Sequence, residues 1–178
     1  MKQKIRYITE TAIMLALLVA VQYLTKPLGQ LVTGSCVNTV LAVSVLVGGL
    51  GCGVTVALLS PVLAYLLGIA PMAVTVPAIM AGNTVFVVLL HFLYGKSLLR
   101  QATAWLTAAA AKFGVLYLAV NGLICGLLAD HLLAAGTLKA PMLKALPVTF
   151  GITQLITALI GGGVALLLMP VLRKALRK

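Results

Sequence analysis

Leu31-Val-Thr-Gly-Ser-Cys-Val-Asn-Thr-Val-Leu-Ala-Val-Ser-Val-Leu-Val-Gly-Gly-Leu-Gly-Cys-Gly-Val-Thr-Val-Ala-Leu-Leu-Ser-Pro-Val-Leu-Ala-Tyr-Leu-Leu67 reads as two apolar segments joined by glycines. The first ends near Val47 and the second runs from about residue 50 to Leu67. A helix that crosses the hydrocarbon core of a bilayer needs roughly 20 apolar residues, with every backbone polar group paired inside it. Each segment has about that length. Gly48, Gly49, Gly51 and Gly53 form an uncharged, conformationally permissive turn between them. The two segments are therefore expected to pair as a helical hairpin. Pro61 falls inside the second segment and favours a kink, which neighbouring helices absorb in a membrane bundle.

The same pattern recurs on either side. Apolar spans are expected at about 7–24, 78–94, 103–128 and 147–168, which with 31–47 and 50–67 makes six. The first follows Lys2, Lys4 and Arg6, as a signal peptide would, but the small-residue cleavage pattern near Val19 to Val21 is weak. It is read as a span. Lys26-Pro27-Leu28-Gly29 closes it, Gly68 to Pro77 is a loop with two prolines, and Lys96 to Arg100 is a basic loop. Asp130 to Leu146 is the longest loop, with room for a short surface helix, and Pro147 suits the first turn of the last span.

Composition agrees. Of 178 residues, 62% are hydrophobic and 8% are charged, against about 25% charged in a soluble domain. So few charges leave the bilayer as the solvent for most of the surface. Residues 1–178 form a single domain, with no length left for a nucleotide-binding module. An even number of spans puts both termini on one side, together with Lys2, Lys4, Arg6, Lys96, Arg100, Arg173, Lys174, Arg177 and Lys178. Lys26, Lys139 and Lys144 fall on the other side. The excess of basic residues places both termini in the cytoplasm. The expected fold is thus an all-α integral membrane bundle of six transmembrane helices. Its net charge of +11 reflects orientation in the membrane and does not require nucleic acid.

Polar side chains inside spans are costly unless paired or lining a cavity. Asn38, Asn83, Asn121 and Gln154 come from four different spans, and all are expected in the outer half of the membrane. A solute pocket is one reading, since amides both donate and accept hydrogen bonds. Interhelical glue is the other. Thr33 and Ser35 extend such a pocket or cap a helix. Lys112 is the one cation within a span, about nine residues from its cytoplasmic end, or roughly 13 Å. It either snorkels or pairs with a carbonyl, or it serves an anionic substrate or coupling. Tyr117 lies between it and Asn121 as a possible link. His91 and Trp105 are read as interfacial anchors.

Catalytic chemistry is not expected. His91, His131 and Asp130 do not make a nucleophile triad, and no metal-ligand cluster appears. No span centre carries an acid, which disfavours proton- or sodium-coupled transport. Cys36, Cys52 and Cys125 lack paired spacing and read as packing residues.

Ala12, Ala16 and Ala20 recur every four residues and make a flat stripe on the first span. With Ala12-Ile-Met-Leu-Ala16, the length, six spans and a polar outer half, the chain resembles the substrate-binding S components of energy-coupling-factor (ECF) transporters. Thr33-Gly-Ser-Cys-Val-Asn38, Ser60-Pro61 and Ala81-Gly-Asn83 also look like stretches of small members. The resemblance covers the whole chain and rests on architecture plus one short motif. It implies a subunit of the bacterial plasma membrane that captures a vitamin-like micronutrient at the outer face. A loop after the first span, here about Lys26 to Val32, would cover the solute. Ala12 and Ala16, and less directly Ala20, would face a membrane T component that carries two ATPases. ATP would be consumed by those partners, with no cofactor in this chain and membrane lipid around it. The alternatives are a stand-alone secondary transporter or channel and a structural membrane protein without a ligand. The transporter reading calls for inverted repeats or intramembrane acids, and neither is visible.

Overall fold

A computed structural model describes residues 2–70 and 72–176. Pro71 of the loop, and Arg177 and Lys178 of the basic C-terminal group, lie outside the described residues. The described residues form helices and no strand. They are α1 Lys2–Thr25, α2 Gln30–Leu66, α3 Val76–Leu93, α4 Leu98–Tyr117, α5 Ala129–Ala134, α6 Ala140–Thr149 and α7 Ile152–Leu176. Short 3-10 turns occupy Lys26–Leu28 and Ala73–Thr75. Five helical stretches are long and apolar enough to cross a membrane: Gln3–Leu28, Gln30–Leu66, Ala73–Leu93, Leu98–Leu127 and Ile152–Leu176.

α2 is 37 residues long, about 55 Å if it were straight. That is nearly twice the hydrocarbon thickness of a bilayer, about 30 Å. It is not straight. Gly49 has φ 81° and ψ 179°, a backbone region open in practice to glycine alone. A methyl built on Gly53 would lie 2.6 Å from Val45 Cβ, whereas eight residues along a straight helix are separated by about 12 Å. The chain therefore turns back at the glycine run, and α2 is two arms. At Pro61 the helix continues, so Gly49 rather than the proline is the break. Gly49→Ala is expected to lower unfolding stability by about 1–2 kcal/mol. An unchanged thermal midpoint would mean that the turn accepts a Cβ.

α2 is the centre of the bundle. It packs against α1, α3 and α7, and α4 closes the ring by packing against α3 and α7. Small residues set these seams, as expected where backbones approach closely. Gly161 of α7 lies against Ser35, Asn38 and Thr39 of α2, and Thr39 Oγ1 donates to Gly161 O at 3.0 Å. Gly82 of α3 seats Leu116 of α4, and Gly162 lies under Trp105. The Trp105 indole is half-buried and donates to Ala158 O at 3.4 Å, so it packs α4 onto α7 rather than standing at an interface. His91 is exposed.

α1 is peripheral. Only 11% of its apolar window is buried. Thr11 and Leu18 face inward, while Ala12, Ala16 and Ala20 lie exposed on the opposite side.

Several boundaries differ from the sequence reading. α4 begins at Leu98 rather than Thr103, because Ser97 caps it by accepting from Arg100 N at 3.3 Å. Part of the basic loop is thus its first turn. The loop expected over Lys26 to Val32 is mostly helical, since α2 starts at Gln30. The segment Asp130 to Leu146 carries α5 and most of α6. Pro147 sits inside α6, and α7 begins only at Ile152. An apolar run alone does not distinguish the end of a short helix from the start of the next long one.

Candidate functional site

A cavity of about 370 Å³ opens among α1, α2, α3, α4, α6 and α7. Small-molecule sites span about 300–1,000 Å³. Its polar lining includes Gln22, Thr33, Asn38, Ser60, Thr75, Asn83, Lys112, Thr149 and Gln154, and Lys26, Gly29 and Gln30 stand at the junction of α1 and α2. Val37, Pro61, Ile69, Met72, Ile79, Met142, Leu146 and Phe150 supply the apolar wall.

Lys112 organises the polar side. Its Nζ donates to Asn38 Oδ1 at 2.5 Å and to Asn83 Oδ1 at 2.7 Å. The residue is 3% exposed, and the ammonium stands 5.5 Å from the centre of the Phe86 ring. It does not snorkel, and its partners are side-chain amides, not the backbone. The longer α4 explains this. Lys112 is about 21 Å from the first residue of the helix at helical rise, well beyond the reach of its stem.

A lysine ammonium has three donors and no acceptor. It therefore fixes both asparagines with their oxygens toward it. The Asn38 nitrogen then turns to Thr157 Oγ1, at 3.4 Å, and Thr157 in turn donates to Gln154 O at 3.1 Å. Gln154 Nε2 donates to Thr149 O at 3.1 Å and ties α7 to α6. Among the described residues, no hydrogen bond reaches Asn83 Nδ2 or Gln154 Oε1, and the third donor of Lys112 is also free.

The structure brings together Asn38, Asn83, Lys112, Gln154 and Thr33. Thr33 Oγ1 donates to Thr25 O at 2.8 Å, so it satisfies the last carbonyl of α1 and does not cap the start of α2. Ser35, Tyr117 and Asn121 are not part of the lining. Ser35 bonds back to Leu31 O at 2.6 Å within its own helix. Tyr117 is 49% exposed. Nine residues of α-helix make two and a half turns, so Asn121 would face away from Lys112 even in a regular helix. Past Tyr117 the helix also widens to i→i+5 bonding over Leu118–Leu127, as in Leu128 N to Leu123 O at 2.9 Å. Both polar atoms of the Asn121 side chain are buried and, among the described residues, have no partner.

The sequence reading missed the contribution of α6. Met142, Ala145, Leu146, Thr149 and Phe150 close one wall of the cavity. Their three- and four-residue spacing is the signal of a common face, in a stretch whose first part reads as the longest loop with room for a short surface helix. Ser60, not among the expected site residues, lines the cavity and is 2% exposed. Glu10 and Asp130, the only acids of the chain, are both away from the cavity. No metal-binding cluster of His, Cys, Asp or Glu is present among the described residues. Compared with protein-family models, curated proteins and solved structures, the chain matches none.

Proposed function

We propose that this chain is the membrane-embedded, substrate-binding subunit of an ECF-type ATP-driven importer in the bacterial plasma membrane, taking up a vitamin-like micronutrient. The observation that carries this reading is the cavity itself, with amides from α2, α3 and α7 and a buried lysine from α4 on its wall. Glue between helices accounts for Asn38 meeting Thr157. It does not call for a hollow of about 370 Å³ beside that contact.

Counting the arms of α2 separately gives six crossings with both termini in the cytoplasm. In that topology the α1–α2 junction, the residues Ile69, Ala70 and Met72, and α6 all lie at the outer end. Each of them lines the cavity, which therefore faces the outside. On α1, the exposed stripe Ala12, Ala16 and Ala20 is the surface for a T component bearing two ATPases. The ATPases use the ATP. This chain is not an enzyme and carries no cofactor.

The test is binding by the purified, detergent-solubilised chain, with retained small molecules identified by mass spectrometry. Ile79→Trp, which enlarges a half-buried apolar wall residue one helical turn from Asn83, is expected to weaken binding about tenfold or more while leaving the melting temperature near native. Ala16→Trp should keep binding and stop uptake in cells that also express a T component and its ATPases. If no small molecule binds saturably, the receptor reading fails. Normal uptake by the Ala16→Trp protein removes the partner surface from α1.

A further inference from the structure

The charge balance of the cavity is one-sided. Lys112 is buried, and its two partners are neutral amide oxygens. Lys26 stands at the mouth, exposed, with its ammonium donating to Gly68 O at 2.7 Å. Among the described residues no carboxylate lines the cavity, and Glu10 and Asp130 lie elsewhere. A buried cation held by amide oxygens and the face of Phe86 has partial charges around it but no full negative charge, and stays incompletely compensated.

The donors left over point the same way. Lys112 has one N–H unused, and Asn83 Nδ2 belongs to the same amide whose oxygen sits 2.7 Å from Lys112 Nζ. Two free donors thus flank one amide oxygen, and one of them is carried by the cation. A carboxylate offers two acceptor oxygens and one negative charge, and charge-assisted hydrogen bonds to it are the strong kind. A phosphate brings close to two charges at neutral pH, and the second would have no buried partner. The apolar lining includes Met142 and Leu146 of α6, Phe150 just after it and Ile79 of α3, which suits an apolar body.

We infer that the solute is a small monocarboxylate with an apolar body, its carboxylate held by Lys112 and Asn83. This rests on the receptor reading above and narrows its substrate class. Lys26 at the mouth raises the local concentration of anions by its field and is not the anchor.

The experiment uses the full chain in lipid nanodiscs, equilibrated against a desalted small-molecule extract of the expression host. Retained solutes are identified by mass spectrometry, and each retained acid is compared with its own primary amide by equilibrium dialysis. The expected result is a retained carboxylic acid, bound at least about tenfold more tightly than its amide, with that preference lost in Lys112→Met. The acid-to-amide ratio is measured on the native chain, so it stands even if the variant fails to fold. A retained solute that is neutral, cationic or phosphorylated overturns the inference and leaves the receptor reading intact. So does an acid bound no better than its amide. If nothing is retained saturably, both readings fall together.

Discussion

Replacing Asn38 and Asn83 together by leucine is expected to destabilise the protein by about 3–5 kcal/mol, and adding Lys112→Met to that pair is expected to restore most of the loss. Leucine keeps the branching and heavy-atom count of asparagine, though it is bulkier, and removes the oxygens that Lys112 Nζ reaches at 2.5 and 2.7 Å. The ammonium is then buried without the partners that hold it, and its stem is too far from the helix start to escape. Methionine keeps the length and apolar volume of lysine and deletes the charge. With Lys112→Met alone as the fourth protein, the native chain and the double and triple variants form a cycle in which only the double variant carries a stranded cation. Thermal melting of the detergent-purified proteins reads it out. A double variant as stable as the native chain would mean that Lys112 finds another partner. If the triple variant melts no higher than the double, the loss came from packing the leucines and not from the charge.

Gly161→Ala is expected to cost about 3 kcal/mol, at the upper end of overpacking effects. The added Cβ would lie 2.6 Å from Asn38 Cβ and 2.9 Å from Thr39 N, and closer still to Ser35 O. Two of these three atoms belong to the backbone, so no rotamer change relieves the clash. α7 must retreat from α2, which lengthens the Thr39 bond to Gly161 O and shifts Asn38 at the edge of the cavity. Gly114→Ala is the matched control. A Cβ there meets nothing within 4 Å, and alanine favours a helix interior over glycine by about 1 kcal/mol. The two variants should move the melting temperature in opposite directions. A Gly161→Ala protein that melts like the control would show that the α2–α7 seam is looser than its contacts imply.

Much of the site was visible in the sequence because its parts are chemically out of place. Asn38, Asn83, Gln154 and Lys112 stood out as polar groups in apolar runs, where hydrocarbon makes each one expensive without a partner. Their joining was not visible. Asn121 has the same chemistry and an equally apolar neighbourhood, yet it faces away from Lys112. The difference lies in helix phase, altered further by the widened turns after Tyr117. α6 was misread for a related reason. Most of it falls in the stretch that reads as the longest loop with room for a short surface helix, whereas its Met142 and Leu146 side forms a wall of the cavity.

The sequence by itself determined the long apolar helices and the reversal at the glycine run. Both depend on local properties, namely mean apolarity over about 20 residues and a backbone conformation that only glycine tolerates. Only the tertiary structure decided that Lys112 meets Asn38 and Asn83 rather than reaching toward solvent, and that α6 closes the cavity. Those outcomes depend on how each helix is rotated and how far it slides against its neighbours. That is set by glycine contacts such as Gly161 on Asn38 and Gly82 on Leu116, between residues far apart in the chain, and residue spacing within one helix carries no record of it.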